Sequence, residues 1–230
     1  MNQAGPRIRH FKADQGAVLL ICLLMLAALT LLGLAAASDH TLQDRMSNNL
    51  VEAALAGQSA NTALSWGEQW LLSRPGSERP AACPDTCTQG DIIRAQGGHG
   101  PFPEHQNLNW WQLNAHPTGK DPLTGVIVDA ALAGQGAHAY WLIEEVHLSI
   151  DTQADDTKVE TAYYRILARG AGRDPATGSS RFAISQSIIA RPWGDAAWTD
   201  AFPPSGQAYS FCNLEDMTTP CGRLAWRQLH

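Results

Sequence analysis

The chain has 230 residues, which is enough for one ordinary domain together with a membrane anchor. Its formal net charge is -6 and its basic residues form no stripe, which argues against a nucleic-acid partner. The sequence also lacks the G-x-S-x-G, H-E-x-x-H, P-loop and G-x-G-x-x-G motifs of common active sites. We therefore expect a non-enzymatic protein with no cofactor and no small-molecule substrate.

The N-terminal region contains one long apolar segment. Residues 17–37, AVLLICLLMLAALTLLGLAAA, carry no charged side chain. A helix of this length is roughly 31 Å long and matches the hydrocarbon core of a bilayer. Because Arg7, Arg9 and Lys12 precede the segment, we expect a single transmembrane helix with a cytoplasmic N-terminus. A cleaved secretory signal is the alternative, since Ala35–Ala37 resembles the small-residue cleavage site of such signals.

The helical pattern continues beyond the apolar segment. Small and apolar residues recur three, four or seven positions apart and form one stripe: Leu42, Met46, Leu50, Ala53, Gly57, Ala60, Leu64 and Leu71. No proline occurs between residue 7 and Pro75. We expect one helix from Ala17 to about Leu72, in which residues 38–72 form an amphipathic half that packs against a globular domain. This continuation argues against a signal peptide, because a signal is removed from the mature fold.

The segment after the predicted helix, residues 73–122, is rich in Gly, Pro, Asn and His and shows little periodicity. It predicts a long irregular connection with one short strand around residues 91–93. Trp110 and Trp111 lie in this polar loop and are the best exposed candidates for contact with a partner, since Trp is enriched at interfaces. Adjacent residues point in opposite directions, so we expect at most one of the two to be core.

Three later segments have strand composition and are separated by polar, Gly- and Pro-containing breaks. They are Tyr140–Leu148, Val159–Ala168 and Arg181–Ala190, and they predict an antiparallel meander. Residues 192–230 are again rich in turn formers. One long helix on a small antiparallel sheet of three or more strands gives a two-layer α+β fold.

Two groups of residues resemble metal ligands in type but not in spacing. They are His99, Glu104, His105 and His116 in the irregular segment, and Asp151, Asp155, Asp156 and Glu160 around a predicted turn. Neither group matches a compact zinc site or an EF-hand loop. We therefore predict no metal site.

Four of the five cysteines form two close pairs far from the apolar segment. The pairs are Cys83 with Cys87 and Cys212 with Cys221, and they indicate disulfides formed in an oxidising compartment. Four cysteines allow three pairings. We favour the two close pairs because near neighbours meet easily, while the crossed pairings stay open.

The junction Gln15-Gly16-Ala17 follows a short basic leader and opens the apolar segment. This arrangement resembles a type IV prepilin. The resemblance implies that residues 1–16 are a leader, that a prepilin peptidase cuts between Gly16 and Ala17, and that the new amine of Ala17 is methylated. Residues 15–50 are similar to the start of PilX-type minor pilins, and residues 163–193 are similar to their C-terminal strand pair.

Two positions depart from the pattern of major pilins. Ala17 stands where those proteins begin with phenylalanine, and Ile21 stands at the fifth mature position, where they carry a glutamate. In that family the glutamate pairs with the N-terminal amine of a neighbour. An unpaired carboxylate in lipid costs about 2.5–3.5 kcal/mol on insertion scales, so its absence favours a minor subunit near the tip. Gly33 and the alanines at 35–37 offer the small surfaces that close helix contacts need.

The resemblance implies a minor pilin that takes part in initiating or capping a type IV pilus. Its partners are other minor pilins, the pilus assembly platform, prepilin peptidase and inner-membrane lipid. It implies a bacterial inner-membrane protein that crosses once, has residues 73–230 as a periplasmic domain, and enters the pilus. One alternative is a tip pseudopilin of a type II secretion system. The other, from a different class, is a single-pass anchored periplasmic binding module or enzyme.

Overall fold

The structure is a computed structural model that describes residues 15–76, 79–84, 87, 90–98, 100, 102–135, 139–152, 158–172, 181–194 and 221–229. The chain divides into two compact units, one up to Asn49 and one from Leu50 onward. A single helix, α1, spans Gln15–Leu72 and supplies residues to both units. The predicted helix is therefore confirmed, with a start two residues earlier than expected.

Helix α1 forms because its sequence is dominated by Ala and Leu, which are strong helix formers. It ends at Leu72, shortly before Pro75, since the residue that precedes a proline is disfavoured in the helical conformation. The side chain of Arg191 donates hydrogen bonds to the carbonyls of Leu71 and Arg74 at this end. A guanidinium there satisfies carbonyls that have no partner within the helix.

Within the described residues, the first unit consists of the N-terminal part of α1. Every described large hydrophobic side chain between Val18 and Leu34 is more than half exposed. Leu42, Met46 and Leu50 were predicted to belong to the packed stripe, but all three are exposed. That part of the prediction is wrong, because apolar periodicity shows which residues share a face and not whether the same chain covers that face.

Within the described residues, the second unit contains a six-stranded sheet. Its strands are β1 (Ile93–Ala95), β2 (His116–Pro117), β3 (Ala139–Thr152), β4 (Lys158–Ala171), β5 (Phe182–Trp193) and β6 (Gly222–Leu229). The order is β1-β3-β4-β5-β6, with β2 paired to β3. Strands β3, β4 and β5 form the predicted antiparallel meander, and β6 pairs antiparallel with β5 as a further strand. Strand β1 runs parallel to β3. Strand β6 lies within residues 192–230, for which the sequence analysis noted only a richness in turn formers.

The C-terminal part of α1 packs on one face of this sheet. The core between them includes Trp66 and Trp70 of the helix together with Trp141, Tyr164 and Ile166 of the strands. The predicted stripe members Gly57, Ala60, Leu64 and Leu71 are all buried. Small residues at this interface allow the helix and the sheet to approach each other closely. An added Cβ at Gly67 would lie 2.9 Å from the Trp141 ring, and one at Gly170 would overlap the backbone of Ala60.

The opposite face of the sheet carries a second, smaller core. Tyr140 and Leu142 alternate with the helix-facing residues of β3, and they pack with Trp111 of helix α2 (Leu108–Asn114). The N-terminus of α2 is capped by the Asn107 side chain, whose Oδ1 accepts from the Trp110 amide at 2.9 Å. A short 3-10 helix (Pro103–His105) and α2 lie within the predicted irregular connection, residues 73–122, and helix α3 (Ala130–Gln135) follows it.

Candidate functional site

The most prominent surface feature of the described residues is the apolar part of α1. Within the described residues, one helix is long and apolar enough to cross a membrane by length and composition, and it has a mean hydropathy of 2.9 in its most apolar window. A signal sequence near the N-terminus satisfies the same criterion. The hydroxyl of Thr30 donates to the Ala27 carbonyl at 2.8 Å, so this polar atom is satisfied within the helix. Cys22 is a free, exposed thiol.

The predicted processing and assembly residues all lie on α1. Gly16 and Ala17 fall in its first turn. Ile21 is 52% exposed on an apolar surface. Gly33 has no atom within 4 Å of the position that a Cβ would take, so its small surface faces open space. Residues 1–14 of the predicted leader lie outside the described residues.

The cysteine prediction is partly tested. Cys83 and Cys87 form a disulfide, which is the favoured close pairing. Cys83 also extends the sheet, because its amide donates to the Ile93 carbonyl at 3.0 Å and its carbonyl accepts from the Ala95 amide at 2.9 Å. The disulfide therefore closes a small loop at an isolated β-bridge beside β1. Cys221 is disulfide-bonded, while Cys212 lies outside the described residues.

The two candidate contact tryptophans are placed differently from the prediction. Trp111 is fully buried beneath α2 and is part of the second core, so it is not an exposed contact residue. Trp110 is partly buried and packs against the same core, with its ring 5.8 Å from that of Trp111 in an edge-on arrangement. The pair lies on a capped helix and not in a loop. The two adjacent side chains leave this helix in different directions, and that of Trp111 points into the core. The expectation that at most one would be core agrees with this placement.

A surface that the sequence analysis did not identify lies between β2 and α3. Residues 123–128 are all exposed, and Leu123, Val126, Ile127 and Val128 present four large aliphatic side chains. The loop is held in shape, because Asp121 Oδ1 accepts from the amides of Leu123 and Thr124 at 2.8 and 3.1 Å. It is tied to α1 because the indole of Trp66 donates to the Lys120 carbonyl at 3.3 Å. The turn sequence Asp121-Pro-Leu-Thr-Gly125 followed by Val-Ile-Val was the available signal.

The edge strand β6 is a second exposed surface. Among the described residues it pairs only with β5, and residues 223–227 are all exposed. Leu224 and Trp226 are about half exposed, at 50% and 48%. Exposed Trp and Leu on an edge strand are typical of an interface. Leu224 and Trp226 lie between Arg223 and Arg227, and this weak apolar alternation was the available sequence signal.

Ion pairs with buried carboxylates stabilise the second unit. The fully buried carboxylate of Glu68 on α1 accepts from Arg223 of β6, with 3.0 Å to Nε and a second bond to Nη2. The fully buried Glu144 of β3 pairs with Arg165 of β4. Buried charges of this kind require a partner, since an unpaired ion in the interior is costly. The Glu68–Arg223 pair thus fixes the edge strand to the helix.

His116 has an unusual environment in the helix-side core. It is 8% exposed, and its ring lies 5.1 Å from that of Trp141. Burial, together with the positive charge of Arg94, lowers the pKa of His116 to about 4. The imidazole is therefore neutral at physiological pH.

Within the described residues no group of three or more His, Cys, Asp or Glu side chains is arranged to hold a metal ion. Three of the weighed ligands, His99, Asp155 and Asp156, lie outside those residues.

Comparison with known proteins gave no match, whether to a protein-family model, to a curated protein or to a solved structure. Within the described residues, the exposed apolar surfaces include an apolar helix segment, an aliphatic loop and an edge strand, and each of them suits contact with lipid or protein.

Proposed function

We propose that the chain is a non-enzymatic pilin-like subunit, specifically a minor pilin that takes part in initiating or capping a type IV pilus. It is made as a prepilin, cut after Gly16 and methylated on Ala17. Residues 17–37 cross the inner membrane once, with a cytoplasmic N-terminus and a periplasmic domain. Its work is packing against other minor pilins and the assembly platform.

The observation that carries this proposal is α1 itself. One helix presents an uncharged, exposed apolar surface from Val18 to Leu34, and its C-terminal part is the buried spine of an α+β domain. An anchor that serves only to tether a domain needs no continuous helix into that domain's core. A subunit that transmits helix packing in the membrane to domain packing outside it does need one.

Ile21 supports a minor and not a bulk role, and Gly33 supports packing against other helices. Ile21 puts an aliphatic side chain where a major pilin carries a carboxylate, so this chain has no acid at that position to pair with a neighbour's amine. Gly33 leaves open space on the helix surface, which suits close approach by another helix. The aliphatic loop at 123–128 and β6 are the surfaces that we assign to contacts between domains.

A helix replacement in the full-length chain tests the proposal. Residues 18–37 are exchanged for an unrelated apolar helix of the same length, with the leader, Gly16 and Ala17 kept. We expect the protein to insert in the membrane and its domain to stay folded, while pilus assembly fails because the specific helix surface is lost. Retained function with the foreign helix would contradict a packing role and favour an anchored binding module or enzyme. Deletion then separates the two assembly readings, since a minor pilin is required for pili and a tip pseudopilin for protein secretion.

A further inference from the structure

Strand β2 is a short attachment at the edge of the sheet. It consists of His116 and Pro117, and His116 is in register with Trp141 of β3. The next residue, Thr118, donates from both its amide and its hydroxyl to the Ala139 carbonyl, at 3.0 and 3.1 Å. By contrast, β3 and β4 pair along most of their length. Because β2 has few hydrogen bonds to lose, its separation from β3 is a local event that leaves the longer strands paired.

The side chain of His116 lies in surroundings that disfavour a proton. It is 8% exposed, and its ring centre lies 5.1 Å from that of Trp141. Among the described residues, the charged side chain that acts on it is Arg94 of β1, which has the same sign as a protonated imidazole. Arg94 is itself attracted to Asp91 and Glu144, and within the described residues no carboxylate forms an ion pair with His116. A proton on this ring would therefore be desolvated and close to a cation.

Separation of β2 from β3 removes both penalties. In the separated form the imidazole of His116 is hydrated, and its pKa returns to the ordinary value near 6.5. In the closed form burial, together with the charge of Arg94, lowers the pKa to about 4. The separated form therefore binds a proton more readily, and the equilibrium shifts toward separation as the pH falls between these two values.

We propose that β2 is an acid-sensitive latch, in which protonation of His116 releases β2 and Thr118 from the edge of β3 while β3, β4 and β5 stay paired. The released form leaves unpaired backbone groups on β3 at residues 139–141, and such an edge is able to pair with a strand of another chain. The latch goes beyond the packing role proposed above, because it makes one edge of the domain respond to the pH of its compartment. It stands whether or not the chain is a pilin.

Hydrogen exchange of the full-length protein in detergent tests the latch at pH 7 and pH 5, with each rate corrected for the intrinsic effect of pH. The readout is the Thr118 amide, which is bonded to the Ala139 carbonyl in the closed form. The two pKa values of His116 predict that the opening equilibrium rises about 20-fold between pH 7 and pH 5. At pH 5 this amide should exchange well before those of residues 164–168 in β4. No response to acid, or exchange of both regions at one rate, would overturn the proposal.

Two histidine variants attribute the response to one side chain. His116→Gln removes the titrating group, so exchange at Thr118 should be nearly the same at the two pH values after correction. His147→Gln is the matched control, since His147 is an exposed histidine on β3 whose ring packs against that of Tyr163. The control should keep the full response to acid. A full response in His116→Gln, or its loss in His147→Gln, would overturn the assignment to His116.

The carbon-13 chemical shift of the His116 ring in the unmodified protein gives a reading that does not require a variant to fold. The closed form should titrate with a pKa of about 4, because burial and Arg94 disfavour the proton. A ring that titrates near its ordinary pKa while the Thr118 amide stays protected would show that the closed form accepts the proton, and would refute the latch.

Discussion

The ion pair between Glu68 and Arg223 gives the sharpest stability prediction. Glu68 is fully buried on α1, and its carboxylate receives two hydrogen bonds from the Arg223 guanidinium on β6. The change Arg223→Met keeps a long apolar side chain but removes both donors. Glu68 is then left as a buried acid that has lost its cationic partner.

Removing one partner of a buried ion pair costs about 3–5 kcal/mol, because the remaining charge is desolvated without compensation. For a domain of this size each kcal/mol lowers the Tm by about 2–4 °C, so Arg223→Met should lower it by about 6–20 °C. The double change Glu68→Leu with Arg223→Met removes both charges, and we expect it to recover most of the loss.

The assay is thermal unfolding of the full-length protein in detergent, followed by circular dichroism and tryptophan fluorescence. Arg227→Met is the matched control on the same strand, since Arg227 makes a 3.2 Å hydrogen bond to Gln186 and has an exposed side chain. It should cost only about 0.5–1.5 kcal/mol. Equal losses in Arg223→Met and Arg227→Met, or a double variant no more stable than the single one, would refute the reasoning.

Three further predictions concern the second unit. Gly170→Ala places a methyl group against the Ala60 backbone and should destabilise the fold by about 1–3 kcal/mol in urea unfolding, whereas Gly33→Ala, which faces open space, should leave the domain's stability unchanged. Burial lowers the pKa of His116 to about 4, below its unfolded value near 6.5, so the unfolded chain binds the extra proton first and stability falls as the pH drops. Between pH 7 and pH 5 the loss should be about 2 kcal/mol, and a His116→Gln variant with an unchanged pH slope would contradict this origin. Cys83→Ser opens the short disulfide loop and should cost about 2 kcal/mol by loop entropy, measured against the unmodified protein under non-reducing conditions.

Much of the fold follows from local sequence signals. An uninterrupted run of strong helix formers up to Pro75 predicts α1, and alternating apolar residues predict β3, β4 and β5. Close spacing predicts the disulfide at Cys83. In each case the decisive interaction lies within a few residues of the pattern that reveals it.

The missed features depend on distant parts of the chain. Helix α2 has only seven residues, too few to show periodicity, and is stabilised by its Asn107 cap and by the burial of Trp111 against the sheet. Strand β6 is mostly exposed, so it lacks the strong apolar alternation of a half-buried strand, and its position depends on pairing with β5. The partner of Glu68 is 155 residues away in sequence, and no local pattern indicates it.

The candidate site likewise contains some features that local sequence predicts and others that depend on distant parts of the chain. The apolar segment that begins at Ala17 and the exposed position of Ile21 follow from composition alone. By contrast, the burial of Trp111 and the exposure of the loop at 123–128 result from tertiary packing. A short run of aliphatic residues indicates core or interface equally well until the surrounding elements are known.

The intact mass of the protein purified from native membranes tests the central proposal most directly, with and without an active prepilin peptidase. The account predicts that the chain lacks residues 1–16 and carries one methyl group on Ala17 only when the peptidase is active. An intact leader in both strains, or a cut near Ala37, would contradict the pilin proposal and leave an anchored or secreted module in its place.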